Sequence, residues 1–111
     1  MLSLHTENGY PITIPLSFHD YNYIRMLNKG GYCCVALVEH IYSNQKYAAK
    51  IIPKRYLEKE NSIDMFFEEI KILQLLHHPN IIQFNEAFTL INNFEEEYFV
   101  IITEYCENGD L

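Results

Sequence analysis

The sequence predicts an α+β domain, a five-stranded antiparallel sheet with one main helix packed against it. Three observations lead there. Short apolar runs rich in Ile, Val, Tyr and Phe recur over residues 21–52 and 81–104, bounded by turn-forming stretches such as Asn28–Gly31 and Ser43–Lys46. Between them, Ile63, Phe66, Phe67, Ile70, Leu73 and Leu76 recur at three- and four-residue steps, the spacing of a half-buried helix. Hydrophobic residues make up 49% of the 111 positions, which is enough for one small domain with a core and too many for a disordered chain.

Residues 1–20 read as an N-terminal extension. Pro11 and Pro15 bracket Ile12-Thr13-Ile14, either a short extra strand or an extended arm, and no motif for chemistry falls there. Three strands follow at Tyr21–Leu27, Tyr32–Tyr42 and Tyr47–Ile52, with a glycine-containing turn at Asn28–Gly31 between the first two. Pro53 ends the third strand because it offers no ladder donor. Lys54–Glu60 reads as a short, solvated helical turn. The main helix runs from Ser62 to Leu76, with Asn61 or Ser62 as its N-cap. His77-His78-Pro79-Asn80 closes it, and the histidines have no third metal ligand at a suitable spacing. The fourth and fifth strands are Ile81–Leu90 and Tyr98–Glu104, joined by an acidic turn whose three glutamates read as a solvated tip. The fifth strand reads as apolar throughout Tyr98–Thr103, as in a strand buried on both faces.

Charge and cysteine content exclude several classes. Eight basic residues stand against fifteen acidic ones, a net charge of -7, so no clustered positive charge points to nucleic acid. No apolar run approaches the roughly 20 residues of a membrane span, and the N-terminus has no basic-then-apolar signal peptide. Cys33, Cys34 and Cys106 are an odd count with no C-x-x-C pair, so reduced thiols and a cytoplasmic location are expected.

The chemistry gathers around Lys50. It interrupts the apolar strand Tyr47-Ala48-Ala49-Lys50-Ile51-Ile52, and Ala48, two residues away, shares its face. A small side chain beside a cation leaves room for a flat group next to an anionic one. On the main helix, Glu69 lies three after Phe66 and four before Leu73, at the border of the apolar stripe, while Glu68 lies about 100° away on the solvated side. A lone inward carboxylate is costly, which makes Lys50 the candidate partner for Glu69.

A glycine turn, a strand Ala-Ala-Lys, F-E-E-I-K-I-L on a helix, H-P-N-I-I after it and I-I-T-E-Y-C-E-N-G-D-L at the end stand in this order from about Tyr21 to Leu111. In that order and spacing the chain resembles the N-terminal, ATP-binding lobe of the protein kinases, most in the style of the serine/threonine kinases of the calcium/calmodulin-dependent group. The resemblance implies a domain over residues 21–111 that binds ATP. Lys50 would hold the α/β-phosphates and Glu69 would orient Lys50. Leu27, Val35 and Ala48 would sandwich the adenine. Thr103 would stand at the back of its pocket, the backbones of Glu104 and Cys106 would bond adenine, and Asp110 would lie near the ribose. In the family's G-x-G-x-x-G-x-V, Gly30 takes the second glycine, Asn28 the first, Cys33 the third and Val35 the valine. Asn tolerates left-handed backbone, whereas Cys33 adds a side chain where phosphate should approach.

The sequence contains no H-R-D-x-x-x-x-N and no D-F-G. The catalytic base, the magnesium-holding aspartate and the second lobe are therefore missing from the expected set, and no metal site is assigned. The expected function is the ATP-binding part of a serine/threonine kinase, with ATP and a protein substrate as partners and magnesium entering only with the second lobe. The alternative is a non-catalytic kinase-like module that acts through protein–protein contact with a partner lobe. Without its second lobe, the surface near Tyr98–Thr103 is expected to expose an apolar patch.

Overall fold

The computed structural model describes residues 1–59, 64, 68 and 84–105. Strands β1 (Leu2–His5) and β2 (Pro11–Ile14) form a separate two-stranded hairpin. Six strands form the main sheet: β3 (Ser17–Phe18), β4 (Tyr21–Lys29), β5 (Cys34–His40), β6 (Lys46–Pro53), β7 (Phe84–Ile91) and β8 (Glu97–Glu104), in the order β3-β4-β5-β6-β8-β7. All described pairings are antiparallel. The predicted five strands are present and β3 makes a sixth. The predicted main helix lies outside the described residues apart from Asp64 and Glu68, which are helical and exposed, as expected of Glu68 on the solvated side.

β3 exists because Leu16–Phe18 doubles back onto β4. Ser17 pairs with Asn22 and Phe18 with Tyr21, and Leu16 C=O accepts from Tyr23 N–H. His19 and Asp20 make the tight turn, with φ of 51° and 70°. Histidine and aspartate are among the non-glycine residues most often found in that left-handed region.

The two faces of the main sheet bury different things. On one, Cys34, Ala36, Val38, Ala49, Ile51, Val100 and Ile102 pack with Ile12, Ile14, Phe18 and Tyr21 in the larger core. Residues 1–20 therefore do not trail. Alternation along Pro11–Ile14 sends Ile12 and Ile14 inward, and both are 0% exposed. Polar bonds fix the hairpin's height: Thr13 N–H donates to the Tyr98 hydroxyl at 3.1 Å, and Asn92 Nδ2 donates to Thr13 C=O at 2.8 Å. Asn92 is buried in the β7–β8 turn, and its Oδ1 also accepts from the amides of Phe94 and Glu96.

On the other face, Cys33, Ile52, Phe99 and Ile101 pack with Leu57 of α1 (Lys54–Lys59). The α1 turn is helical as predicted but not wholly solvated, because Leu57 is buried. The acidic β7–β8 turn is likewise more than a solvated tip. Glu96 pairs with Arg55 at 2.9 Å and Glu97 with Lys54 at 3.5 Å, leaving Glu95 exposed. Tyr98–Ile102 are buried on both faces, so this strand contributes no apolar patch of the kind expected.

Burial of acidic hydroxyls and a thiol makes stability pH-dependent. Burial, and then Glu86 accepting its hydroxyl, raise the ionisation of Tyr21 well above the ordinary value near 10. Burial also raises Tyr98 above 10 and Cys34 above 9.0. The folded chain keeps these protons at a pH where the unfolded chain releases them. Their contribution is complete below the unfolded values and is lost as pH rises through the raised folded ones. The urea midpoint is expected to fall with pH once pH exceeds 9.0, and Tyr21→Phe to flatten the fall. A wild-type midpoint that stays level beyond pH 10.0 would contradict this.

Candidate functional site

The site is built on the α1 face of the sheet. Val35, Lys50, Ile101 and Ala87 form one cross-strand row, and Leu37, Ala48, Thr103 and Phe84 form the next. Along each of the three central strands the two rows are two residues apart and so share a face. Directly opposed residues in such a ladder have Cα atoms about 4.5–5.5 Å apart, so the Lys50 stem stands directly beside Val35 and diagonally to Thr103. Lys50 is exposed and Val35, Ala48 and Thr103 are half-buried, which gives a cation at the rim of an apolar floor. Chemically, that arrangement leaves room for a flat apolar group beside an anionic one.

Leu27 is half-buried at a ladder irregularity between Met26 and Asn28, and Asn28 pairs with Val35. Glu104 is exposed at the end of β8, opposite Tyr47. Six expected site residues, Leu27, Val35, Ala48, Lys50, Thr103 and Glu104, thus lie on β4, β5, β6 and β8 of one sheet. Glu69, Cys106 and Asp110 lie outside the described residues.

The glycine turn differs in detail from the expectation. β4 continues through Asn28 and Lys29, so the reversal spans Gly30–Cys33 and not Asn28–Gly31. Gly30 N–H donates to Cys33 C=O at 2.8 Å to close it. Asn28 has no left-handed backbone, and its Oδ1 accepts from Lys29 N–H at 2.8 Å. Gly30 is required for space and not for positive φ. A Cβ there would meet Cys33 Sγ at 2.8 Å, too close for any real side chain. The thiol at the expected third-glycine position turns inward, 9% exposed, against Ile52, Leu57 and Phe99. That cluster lies on the α1 face, the face that also carries Lys50 and Val35, so the Cys33 side chain stands on the side of the sheet that phosphate would approach.

Sequence reasoning missed what holds this turn. Glu7 N–H donates to Gly30 C=O at 2.9 Å, so the β1–β2 turn is bonded directly to it. The signal was legible: Asn8-Gly9 between two short alternating runs is a strong hairpin marker. Gly9 has φ of 81°, the conformation that makes glycine the natural choice.

The cleft of about 260 Å³ lined by Lys54, Arg55, Glu58 and Glu95–Tyr98 lies elsewhere, where the two ion pairs join α1 to the β7–β8 turn. Among the described residues no His/Cys/Asp/Glu group could hold a metal ion, and no helix is long and apolar enough to cross a membrane.

A family model described as the protein kinase domain matches residues 21–111. Serine/threonine-protein kinase cds1 of Schizosaccharomyces pombe is 38% identical over 111 residues, covering 96% of this chain and 23% of that protein. The 3-phosphoinositide-dependent protein kinase B of Dictyostelium discoideum is 37% identical over 92 residues, covering 83% of this chain and 10% of its own length. Serine/threonine-protein kinase SIK1 of Rattus norvegicus is 31% identical over 106 residues, covering 96% of this chain and 13% of its own. The chain thus spans less than a quarter of the length of each of these relatives.

Proposed function

The chain belongs to the protein kinase domain family, and on that premise we propose that the α1 face of its sheet is the adenine-nucleotide site of a serine/threonine kinase. The observation that carries this reading is the pair of adjacent rows that sets Lys50 beside Val35 and Ala48 beside Thr103. In the proposed site Leu27, Val35 and Ala48 flank the adenine and Thr103 backs it. The backbones of Glu104 and Cys106 bond its polar groups, and Asp110 meets the ribose. Lys50 neutralises the α/β-phosphates and Glu69 orients Lys50, while Asn28 and Gly30 begin the roof. Residues 21–111 would form the N-terminal lobe. Transfer of the γ-phosphoryl group to a protein hydroxyl would require the metal ligands and base that the absent H-R-D and D-F-G motifs carry.

Calorimetric titration of the 111-residue chain with ATP, with and without magnesium, tests this. Weak binding is expected, nearly independent of the metal, because the cation and apolar floor are present and the metal's protein ligands are not. Lys50→Ala should weaken ATP binding and leave adenosine binding little changed. No ATP binding, or submicromolar binding that requires magnesium, would overturn the reading.

A further inference from the structure

The β1–β2 hairpin touches the glycine turn at several independent points, and each is separable from its role in covering the core. Besides the Glu7–Gly30 bond, Asn8 packs so close to Gly31 that a Cβ there would meet its Nδ2 at 3.1 Å. Cys34 Sγ, at the start of β5, donates to His5 C=O at 3.6 Å. An aromatic column completes the contact. Tyr32, at the tip of the turn, stacks on Tyr56 of α1 with centroids 4.3 Å apart and planes at 7°, and Tyr10 meets Tyr56 edge-on at 5.3 Å. Arg55 lies over the Tyr10 ring at 5.6 Å and donates to Pro11 C=O at 3.3 Å.

We infer that the hairpin is a positioning element for the glycine turn, with Glu7, Asn8 and Tyr10 setting the turn's height over the sheet and limiting its movement. A glycine-rich turn is otherwise among the most mobile parts of a sheet protein, because it has few side chains to pack and loses the most backbone entropy on ordering. Here its carbonyl, its second glycine and its tip aromatic are each tied to something outside the turn. Its consequence for ligand binding rests on the nucleotide reading above; the restraint itself does not. Residues 1–14 would thereby act on the phosphates of a bound nucleotide through Gly30 and Gly31, without touching them.

Two substitutions test this in the full chain. Thr6 C=O accepts from Gly9 N–H, so Glu7 occupies the second position of a β-turn, where proline is favoured. Glu7→Pro therefore deletes the donor to Gly30 while suiting the hairpin's own turn. Tyr32→Ala removes the stack at a site that is 41% exposed and outside both core clusters, so the fold survives it. The readout is residue-resolved amide hydrogen exchange. In both variants Gly30 N–H is expected to exchange roughly fivefold faster or more, the factor that one net hydrogen bond or one aromatic pair contributes. The amides of Ile51, Val100 and Ile102 in the sheet should keep their wild-type rates. ATP affinity should fall while adenosine affinity holds. Unchanged exchange at Gly30 in both variants would overturn the inference. So would equal acceleration at Gly30 and in the sheet, which would make the hairpin only a cover. Failure of the nucleotide reading would show separately, as no ATP binding by the wild-type chain, and the exchange result would still decide the positioning role.

Discussion

Deleting residues 1–14 is expected to abolish cooperative folding of the remainder, although the family model begins only at residue 21. Ile12 and Ile14 are 0% exposed and cover the face that carries Ala36, Ala49, Val100 and Ile102. Truncating one buried isoleucine to alanine typically costs about 2–5 kcal/mol. Removing both side chains outright therefore costs roughly 4–10 kcal/mol, against a total stability of about 5–15 kcal/mol for a domain. Deletion also strips the Tyr98 hydroxyl of its Thr13 donor and Asn92 Nδ2 of its Thr13 acceptor; Asn92 Nδ2 keeps Glu96 Oε1 at 2.9 Å, so each lost bond adds only about 0.5–1.5 kcal/mol. Ile14→Ala is the graded version and should lower stability by about 2–5 kcal/mol. Urea unfolding followed by far-ultraviolet circular dichroism measures both. A 15–111 chain that unfolds in one sharp transition at the full-length midpoint would refute the expectation.

The 111-residue polypeptide by itself is expected to transfer no phosphoryl group to protein above background. In this chemistry the protein works mainly by positioning and electrostatic stabilisation. Lys50 can offset part of the α/β-phosphate charge, but it does not aim the γ-phosphorus at a hydroxyl. That aiming needs metal ions held against the β- and γ-oxygens and a carboxylate to take the hydroxyl proton. Asp20 sits in the β3–β4 turn, and Asp64 is helical and exposed. Neither lies in a sequence resembling the absent motifs. Losing general-base help alone lowers such rates by about 10²–10⁴, and loss of metal stabilisation adds to that. A radiolabelled-ATP assay on a generic protein substrate checks this, with Lys50→Ala as the contamination control. Incorporation that the wild-type chain supports and Lys50→Ala abolishes would sink it.

The sheet was legible because its strands advertise themselves twice, by apolar content and by the turn residues between them. The face of Lys50 followed from strand alternation alone, since a two-residue period leaves no freedom once register is set. The glycine turn was harder. Sequence assigns glycine the role of positive φ by default, and only coordinates reveal that Gly30 makes room for Cys33 Sγ. The same limit hid the roles of Glu96 and Glu97, because whether a glutamate is solvated or paired depends on where α1 lies in space. Residues 1–20 stayed open between a short strand and an extended arm for another reason. Pro11 and Pro15 fit a short strand as well as an extended arm, and no local signal in Ile12-Thr13-Ile14 states which distant surface those isoleucines cover.

The two-residue strand β3 has a consequence for how this molecule meets copies of itself. An outermost strand presents a row of unpaired backbone groups, a template on which another chain can add. β4 would be such a template along its nine residues. β3 occupies its first part through Ser17 and Phe18, and Leu16 C=O takes up the Tyr23 amide. Beyond that, the irregularities between Tyr23 and Arg25 and between Met26 and Asn28 break the even spacing that an incoming strand would need. Among the described residues the opposite margin is β7, which has only one such break, between Phe84 and Glu86, and runs regularly from Glu86 to Ile91. Intermolecular strand addition, where concentration or partial unfolding drives it, is thereby directed to the β7 side. A proline at an outward-facing β7 amide would suppress it there, whereas the β4 side is already guarded by the fold.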